Sequence, residues 1–100
     1  MPEEQRVIIV WAEDKPGVLI RVANILTAKG INIERLVADT DPLRLGFSKI
    51  TVIATFETHW HNRVVQELNR LVNVLIAFDI TGLDGKRTNA SSVAPVSPNN

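Results

Sequence analysis

The chain has 100 residues, 45% of them hydrophobic, which predicts one small globular domain with a modest core. Eleven basic and eleven acidic side chains cancel, which argues against nucleic-acid and anionic-membrane partners, and the absence of cysteine excludes disulfides and thiolate metal sites. The charged start MPEEQR and the short apolar runs predict neither a signal peptide nor a membrane span, so we expect a soluble, cytoplasmic protein.

The first half of the chain has the pattern of a strand, a helix and a second strand. Residues 6–12, RVIIVWA, are rich in β-branched side chains and predict the first strand. Asp14 is a candidate N-cap, and Pro16 suits a first helical turn. Apolar residues then recur at helical spacing, at Val18, Leu19, Val22, Ala23, Ile25 and Leu26. Gly30 ends this helix, and residues 32–40 predict the next strand.

The second half of the chain has the pattern of a third strand, a second helix and a fourth strand. Residues 48–56 alternate, with one face formed by Ile50, Val52, Ala54 and Phe56. Thr58 is a plausible cap for a helix whose apolar stripe is Val64, Leu68, Leu71 and Val72. A last strand alternates through Val74, Ile76, Phe78 and Ile80. The order β-α-β-β-α-β predicts an α+β, ferredoxin-like fold, with a four-stranded antiparallel sheet and two helices on one face.

The organisation along the chain predicts one folded domain and a tail. The domain spans residues 1–83, and residues 84–100, which are small, polar and proline-containing without periodicity, predict a disordered tail. Two helices leave one sheet face bare, yet the first strand is apolar on both sides. Leu75, Ala77 and Ile53 are further apolar residues on the second faces of their strands. We therefore expect the domain to associate with another chain.

Several candidate sites have a simpler structural interpretation. His59 and His61 lie at a helix start, where their rings diverge, and no third ligand is evident, so a surface role is favoured over metal binding. Asp39 and Asp41 fit a turn better than acid–base catalysis. An RNA-binding sheet would need a central aromatic residue that the third strand lacks. The sequence shows no set of acid, base and nucleophile, so we predict a non-catalytic protein.

The turn at Gly17 has two interpretations that local sequence leaves open. It is either a simple strand-to-helix connection or a binding site. In the second case the unpaired amides of the helix start attract a carboxylate, and glycine has no side chain to obstruct it. Asp14 could meet an ammonium group, while Val18 and Leu19 could form an apolar wall. These features describe a site for a free amino acid.

The segment EDKPGVLIRVANILTAKGINIERL, residues 13–36, resembles the ligand-binding segment of ACT domains. Together with DTDPLRLGFSKITV and QELNRLVNVLIAFDIT, it resembles more specifically the small regulatory subunits of acetohydroxyacid synthase, also called acetolactate synthase. The resemblance covers residues 6–82. Asp-x-Pro-Gly-Val-Leu alone would indicate only some kind of ACT domain.

The resemblance implies regulation of another chain. Family members activate a separate catalytic large subunit that uses thiamine diphosphate, Mg²⁺ and FAD, and they make it sensitive to a branched-chain amino acid, usually valine. The implied partners are a second copy, as a homodimer or higher oligomer, and that large subunit, with no cofactor of the chain's own. The implied effector site comprises Asp14, Lys15, Pro16, Gly17, Val18 and Leu19, with Asn32 and Ile33 supplied by the neighbouring protomer.

One position departs from the family, and two rival functions stay open. The family usually has asparagine where this chain has Asp14, which leaves the effector's identity open. The first rival is an amino-acid-sensing ACT module of another pathway enzyme. The second is a structural dimerisation module with a vestigial pocket.

Overall fold

The computed structural model describes residues 3–82 and confirms the predicted element order. Two α-helices and four strands follow one another along the chain, with one turn of 3-10 helix, Thr58–Trp60, before the second helix. Their bounds are β1, Glu3–Glu13; α1, Val18–Thr27; β2, Asn32–Thr40; β3, Phe47–Glu57; α2, His61–Arg70; and β4, Val74–Asp79. The predicted tail at residues 84–100 lies outside the described residues.

The four strands form one antiparallel sheet in the order β2-β3-β1-β4. Its register places one row of residues, Thr40, Ser48, Ala12 and Val74, across all four strands at one end. Near the opposite end, Asn32 and Gln5 both pair with Thr55. The β1–α1, β2–β3 and α2–β4 turns therefore all lie beyond the first row, at the same end of the domain.

The core lies between the sheet and the two helices. α1 packs against β2 and α2 packs against β4. The alternation predicted for the third strand is confirmed, because Ile50, Val52, Ala54 and Phe56 are all buried. They meet a buried stripe from the helices and from β1, formed by Val18, Val22, Leu26, Val64, Leu68, Ile8 and Val10.

The sheet face that carries no helix is partly covered by its own side chains. Ile9, at the centre of this face, is only 7% exposed, whereas Ile76 is 49% and Phe78 37% exposed. The predicted alternation of the last strand is wrong at its start, because Val74 and Ala77 are the residues that face the core. The pairing of β1 with β4 shifts between Trp11 and Ala12, which changes the face of the residues after Val74.

Three predictions at the helix ends are also wrong. Gly17, and not Asp14, is the N-cap residue of α1, and Thr58 lies in the 3-10 turn instead of capping α2. α2 ends at Arg70, so Val72 leaves the predicted stripe and is 95% exposed. None of the helices within residues 3–82 is long and apolar enough to cross a membrane.

Candidate functional site

The chain enters α1 through a tight turn that requires glycine. Gly17 has φ +86°, a left-handed conformation that side chains disfavour. Its carbonyl accepts the first helical hydrogen bond, from Arg21 N–H at 3.0 Å. The N–H of Val18 donates back to the Lys15 carbonyl at 3.2 Å, which closes the turn. The backbone of this turn is thus fixed by its own hydrogen bonds.

The start of α1 leaves backbone donors available to a ligand. Among the hydrogen bonds of residues 3–82, none engages the N–H groups of Gly17, Leu19 or Ile20. No side chain in this part of the structure caps the helix, and Gly17 itself is exposed. Unpaired amides at a helix start carry a partial positive charge. The turn can therefore accept the carboxylate of a small ligand.

Arg21 adds a full positive charge beside this turn, and the sequence reasoning did not identify it. A Cβ atom placed on Gly17 would lie 3.5 Å from Arg21 Nη2. Arg21 Nη1 donates to Asn73 Oδ1 at 3.2 Å, and Asn73 Nδ2 donates to Glu13 Oε1 at 2.8 Å. The spacing offered a signal, since residues four apart lie on one helix face. Arg21 is held where it can pair with a bound carboxylate.

The predicted site residues on the turn differ in what they expose. Asp14, Lys15 and Pro16 are exposed, which leaves their side chains accessible. Val18 is only 2% exposed and belongs to the core, and its N–H already donates to the Lys15 carbonyl, so neither its side chain nor its N–H is free for a ligand. Leu19, at 38% exposure, is the apolar side chain of the predicted wall that remains accessible.

Asn32 and Ile33 lie at the other end of the same chain. Asn32 pairs with Thr55 of β3, whereas the end of the sheet near Gly17 lies at Ser48 of the same strand. The two ends are therefore about 23 Å apart along β3. Asn32 is exposed on the edge strand β2, and Ile33 packs against the core. A single chain therefore does not bring the two predicted halves of the site together.

Glu34, next to Asn32, is fixed on the same edge strand. Glu34 Oε2 accepts a hydrogen bond from Thr55 Oγ1 at 2.5 Å, and Oε1 accepts one from Gln5 Nε2 at 2.8 Å. These bonds favour the ionised form, so the pKa of the Glu34 carboxyl lies below its usual value. The Asn32 end of β2 thus carries a negative charge.

A pocket of about 330 Å³ is lined by none of the predicted effector residues. Its walls are formed by Trp11, Asp41, Arg44, Leu75 and Ile76. The backbone N–H of Leu43 donates to Asp41 Oδ1 at 2.9 Å, so Asp41 stabilises its turn as expected. This pocket faces the same end of the domain as the Gly17 turn.

Each of the two histidines lies beside a different carboxylate. His59 Nδ1 lies 3.2 Å from Glu57 Oε1, and His61 Nδ1 lies 3.0 Å from Asp79 Oδ2. Within the described part of the chain, no group of three or more histidine, cysteine, aspartate or glutamate side chains is placed to hold a metal ion. Each histidine therefore lies within ion-pairing distance of a carboxylate, and His61 Nδ1 makes no hydrogen bond within the described residues.

Comparison with known proteins gives matches in sequence and in structure. The ACT domain family model matches residues 6–59. The chain is 33% identical over 75 residues to the acetolactate synthase small subunit of Mycobacterium bovis, which covers 75% of this chain and 44% of that protein. It is 35% identical over 74 residues to the protein of Archaeoglobus fulgidus described as "Probable acetolactate synthase small subunit", covering 74% of this chain and 46% of that one.

Two solved structures share the fold at lower sequence identity. The acetolactate synthase small subunit of Thermotoga maritima superposes with a TM-score of 0.66 at 20% identity, over 76% of this chain and 47% of that one. The ACT domain of the GTP pyrophosphokinase of Chlorobium tepidum gives a TM-score of 0.65 at 15% identity, over 78% of this chain and 99% of that one. The chain thus spans less than half the length of the small subunits that it matches.

Proposed function

The chain belongs to the ACT domain family, and from this membership we propose that it is a regulatory subunit that binds a branched-chain amino acid and controls an acetolactate synthase catalytic subunit. The observation that carries the proposal is the turn at Gly17, where exposed backbone donors and the Arg21 guanidinium converge on a position without a side chain. Free amino acids carry a carboxylate that suits these donors.

The likeness to small subunits in sequence favours this pathway over others. Folds of this shape also occur in a GTP pyrophosphokinase and a homoserine dehydrogenase, so the fold alone does not select a function. Identity of 31–35% to several curated small subunits, across about three quarters of the chain, supports acetolactate synthase.

A second copy of the chain would complete the effector site. β2 is an edge strand, so its free backbone groups can pair with a symmetry-related β2. Antiparallel pairing about Leu36, the midpoint of β2, would bring the partner's Asn32 beside Thr40, at the end of the sheet that carries the Gly17 turn. Pairing through β4 would leave both copies of Asn32 on the far edges. We therefore propose association through β2.

Each group of the effector would then have a partner of suitable chemistry. The carboxylate would accept hydrogen bonds from the N–H groups of Gly17 and Leu19 and pair with Arg21. The ammonium group would meet the carboxylate of Asp14, which is exposed on the same turn. The branched side chain would lie between Leu19 and the partner's Ile33. Valine, leucine and isoleucine all satisfy this arrangement.

Calorimetry with amino acids tests the effector proposal, and an assay with the catalytic subunit tests regulation. We expect heat on adding valine, leucine or isoleucine and none on adding lysine or glutamate, whose charged ends would be placed against Leu19. Adding the chain to an acetolactate synthase catalytic subunit should raise its activity, and the effector should reverse the increase. Binding without activation would favour a sensor of another enzyme. No binding by any of the twenty amino acids would favour a purely structural dimerisation module.

A further inference from the structure

The exposed apolar side chains of the domain are concentrated at one end. Eight large hydrophobic residues within residues 3–82 are exposed, and five of them lie in or next to the three turns beyond the Thr40–Ser48–Ala12–Val74 row. Leu75 and Ile76 lie at the adjoining end of β4. We call this surface the apolar pole, and it consists of Leu19, Ile20, Leu43, Leu45, Val72, Leu75 and Ile76. A concentration of this kind marks an interaction surface.

The most exposed members project from turns that are held rigidly. Leu43, Leu45 and Val72 are 90%, 92% and 95% exposed. The N–H of Asp14 donates to the Gly46 carbonyl at 2.8 Å, and the N–H of Glu13 donates to the Asn73 carbonyl at 2.8 Å. These bonds join the β1–α1 turn to both other turns. The apolar side chains are thus presented on a preorganised platform, which lowers the entropic cost of binding.

Charge indicates which kind of partner fits the apolar pole. Four exposed cations surround it, Lys15, Arg21, Arg44 and Arg70, against two exposed carboxylates, Asp14 and Asp39. Glu13 accepts a hydrogen bond from Asn73 and the buried Asp41 accepts one from Leu43, so both carboxylates are engaged inside the turns. A second copy docked pole to pole would place these cations against one another. A different protein with an acidic rim around an apolar centre would fit.

The last of the described residues lie far from the apolar pole. Thr81 Oγ1 accepts the N–H of Val7 at 2.9 Å, about 17 Å along β1 from Ala12 and the apolar pole. The described residues therefore end near the end of the sheet opposite the apolar pole.

We infer that the apolar pole is the docking surface for the catalytic subunit, whose contact region is apolar at its centre and acidic at its rim. The inference rests on the proposed function and adds to it the surface that contacts the partner. Because the Gly17 turn forms part of the same platform, an effector bound there would contact Leu19, which belongs to the docking surface. This arrangement places the bound effector a short distance from the bound catalytic subunit.

The test measures binding of the purified catalytic subunit to the full chain. In Leu43→Glu/Leu45→Glu, both changes lie at positions at least 90% exposed, so folding should be unaffected while binding weakens about 10-fold or more. Thr58→Glu/Asn62→Glu adds the same charge at exposed positions of the other end and should bind like wild type. Raising salt should weaken wild-type binding by lowering the association rate.

Four outcomes separate this inference from the proposed function. Weaker binding of the leucine variant alone, with unchanged sedimentation and valine binding, supports the inference. Wild-type affinity in that variant overturns it and leaves the proposed function intact. Dissociation of an oligomer into monomers by the leucine variant also overturns it, because the pole would then be a contact between copies. Failure of the wild-type chain to bind the catalytic subunit removes the proposed function and the inference together.

Discussion

The N–H of Asp14 donates to the carbonyl oxygen of Gly46 at 2.8 Å and joins the turn before α1 to the turn between β2 and β3. Gly17 and Gly46 both have φ +86°, so each turn depends on a left-handed residue. A conformational change at the proposed effector site would therefore be transmitted directly to the exposed leucines of the neighbouring turn. This hydrogen bond would couple effector binding at the Gly17 turn to binding of the catalytic subunit at the neighbouring turn.

Two substitutions at Gly17 should separate its effect on stability from its effect on effector binding. Gly17→Ala should lower the free energy of unfolding by about 1–2 kcal/mol, because alanine disfavours φ +86°. Gly17→Asn should cost less, since asparagine adopts this region more readily, yet its side chain would occupy the carboxylate position. Urea unfolding and valine calorimetry measure the two effects. Retained valine binding in Gly17→Asn would argue against the site.

Arg21→Gln should weaken effector binding by about 10-fold, corresponding to about 1.4 kcal/mol for a lost charge-assisted hydrogen bond. Glutamine ends two bonds short of the guanidinium nitrogens, so the change removes both the positive charge beside Gly17 and the hydrogen bond to Asn73. Arg63→Gln, which changes an exposed arginine on α2, is the matched control. Equal valine affinities in the two variants, by calorimetry, would show that Arg21 does not bind the carboxylate.

Leu68→Ala should lower the free energy of unfolding by about 2–5 kcal/mol. Leu68 is fully buried where α2 meets the sheet, and truncation leaves a cavity that close-packed neighbours fill only in part. Urea denaturation followed by far-UV circular dichroism measures the loss. The control is Val72→Ala, at 95% exposure, which should change stability by less than about 0.5 kcal/mol. A similar loss in both variants would contradict the observed end of α2 at Arg70.

The contact between Lys29, in the turn after α1, and Glu67 of α2 should make stability depend on pH. Lys29 Nζ lies 2.5 Å from Glu67 Oε1, and this bond lowers the pKa of the Glu67 carboxyl below its usual value of 4.5. A lowered folded-state pKa stabilises the protein above about pH 4.5, and this contribution is lost as the pH falls through the folded-state value. Thermal melting from pH 7 to 3 should show a smaller acid-induced decrease in Glu67→Gln than in wild type. Identical pH profiles would contradict this role.

The sequence allowed the element order and the core face of β3 to be predicted, because alternating apolar residues have one interpretation on a half-buried sheet. It did not allow the faces of β4 to be predicted, because the shift of register after Trp11 depends on pairing between distant strands. Propensity placed Asp14 and Thr58 at helix caps, but α1 begins after the left-handed Gly17 and α2 begins after a 3-10 turn.

The same division applies to the candidate site. Gly17 was predictable because a glycine before a helical pattern indicates a special backbone conformation. Arg21 was not singled out, because its relevance depends on the side chain folding back over Gly17 towards Asn73. The apolar pole was also missed, because its residues come from separate parts of the chain that only the sheet register brings to one end.

Mixing two defective chains measures most directly whether two copies share one effector site. Gly17→Asn and Asn32→Ala each remove one half of the site and should bind no valine alone. After the two are unfolded and refolded together, half of the dimers should be mixed, and each mixed dimer regains one intact site. Calorimetry should then recover about a quarter of the wild-type sites. No recovery, with mixed dimers demonstrated by mass spectrometry, would contradict a site shared between chains.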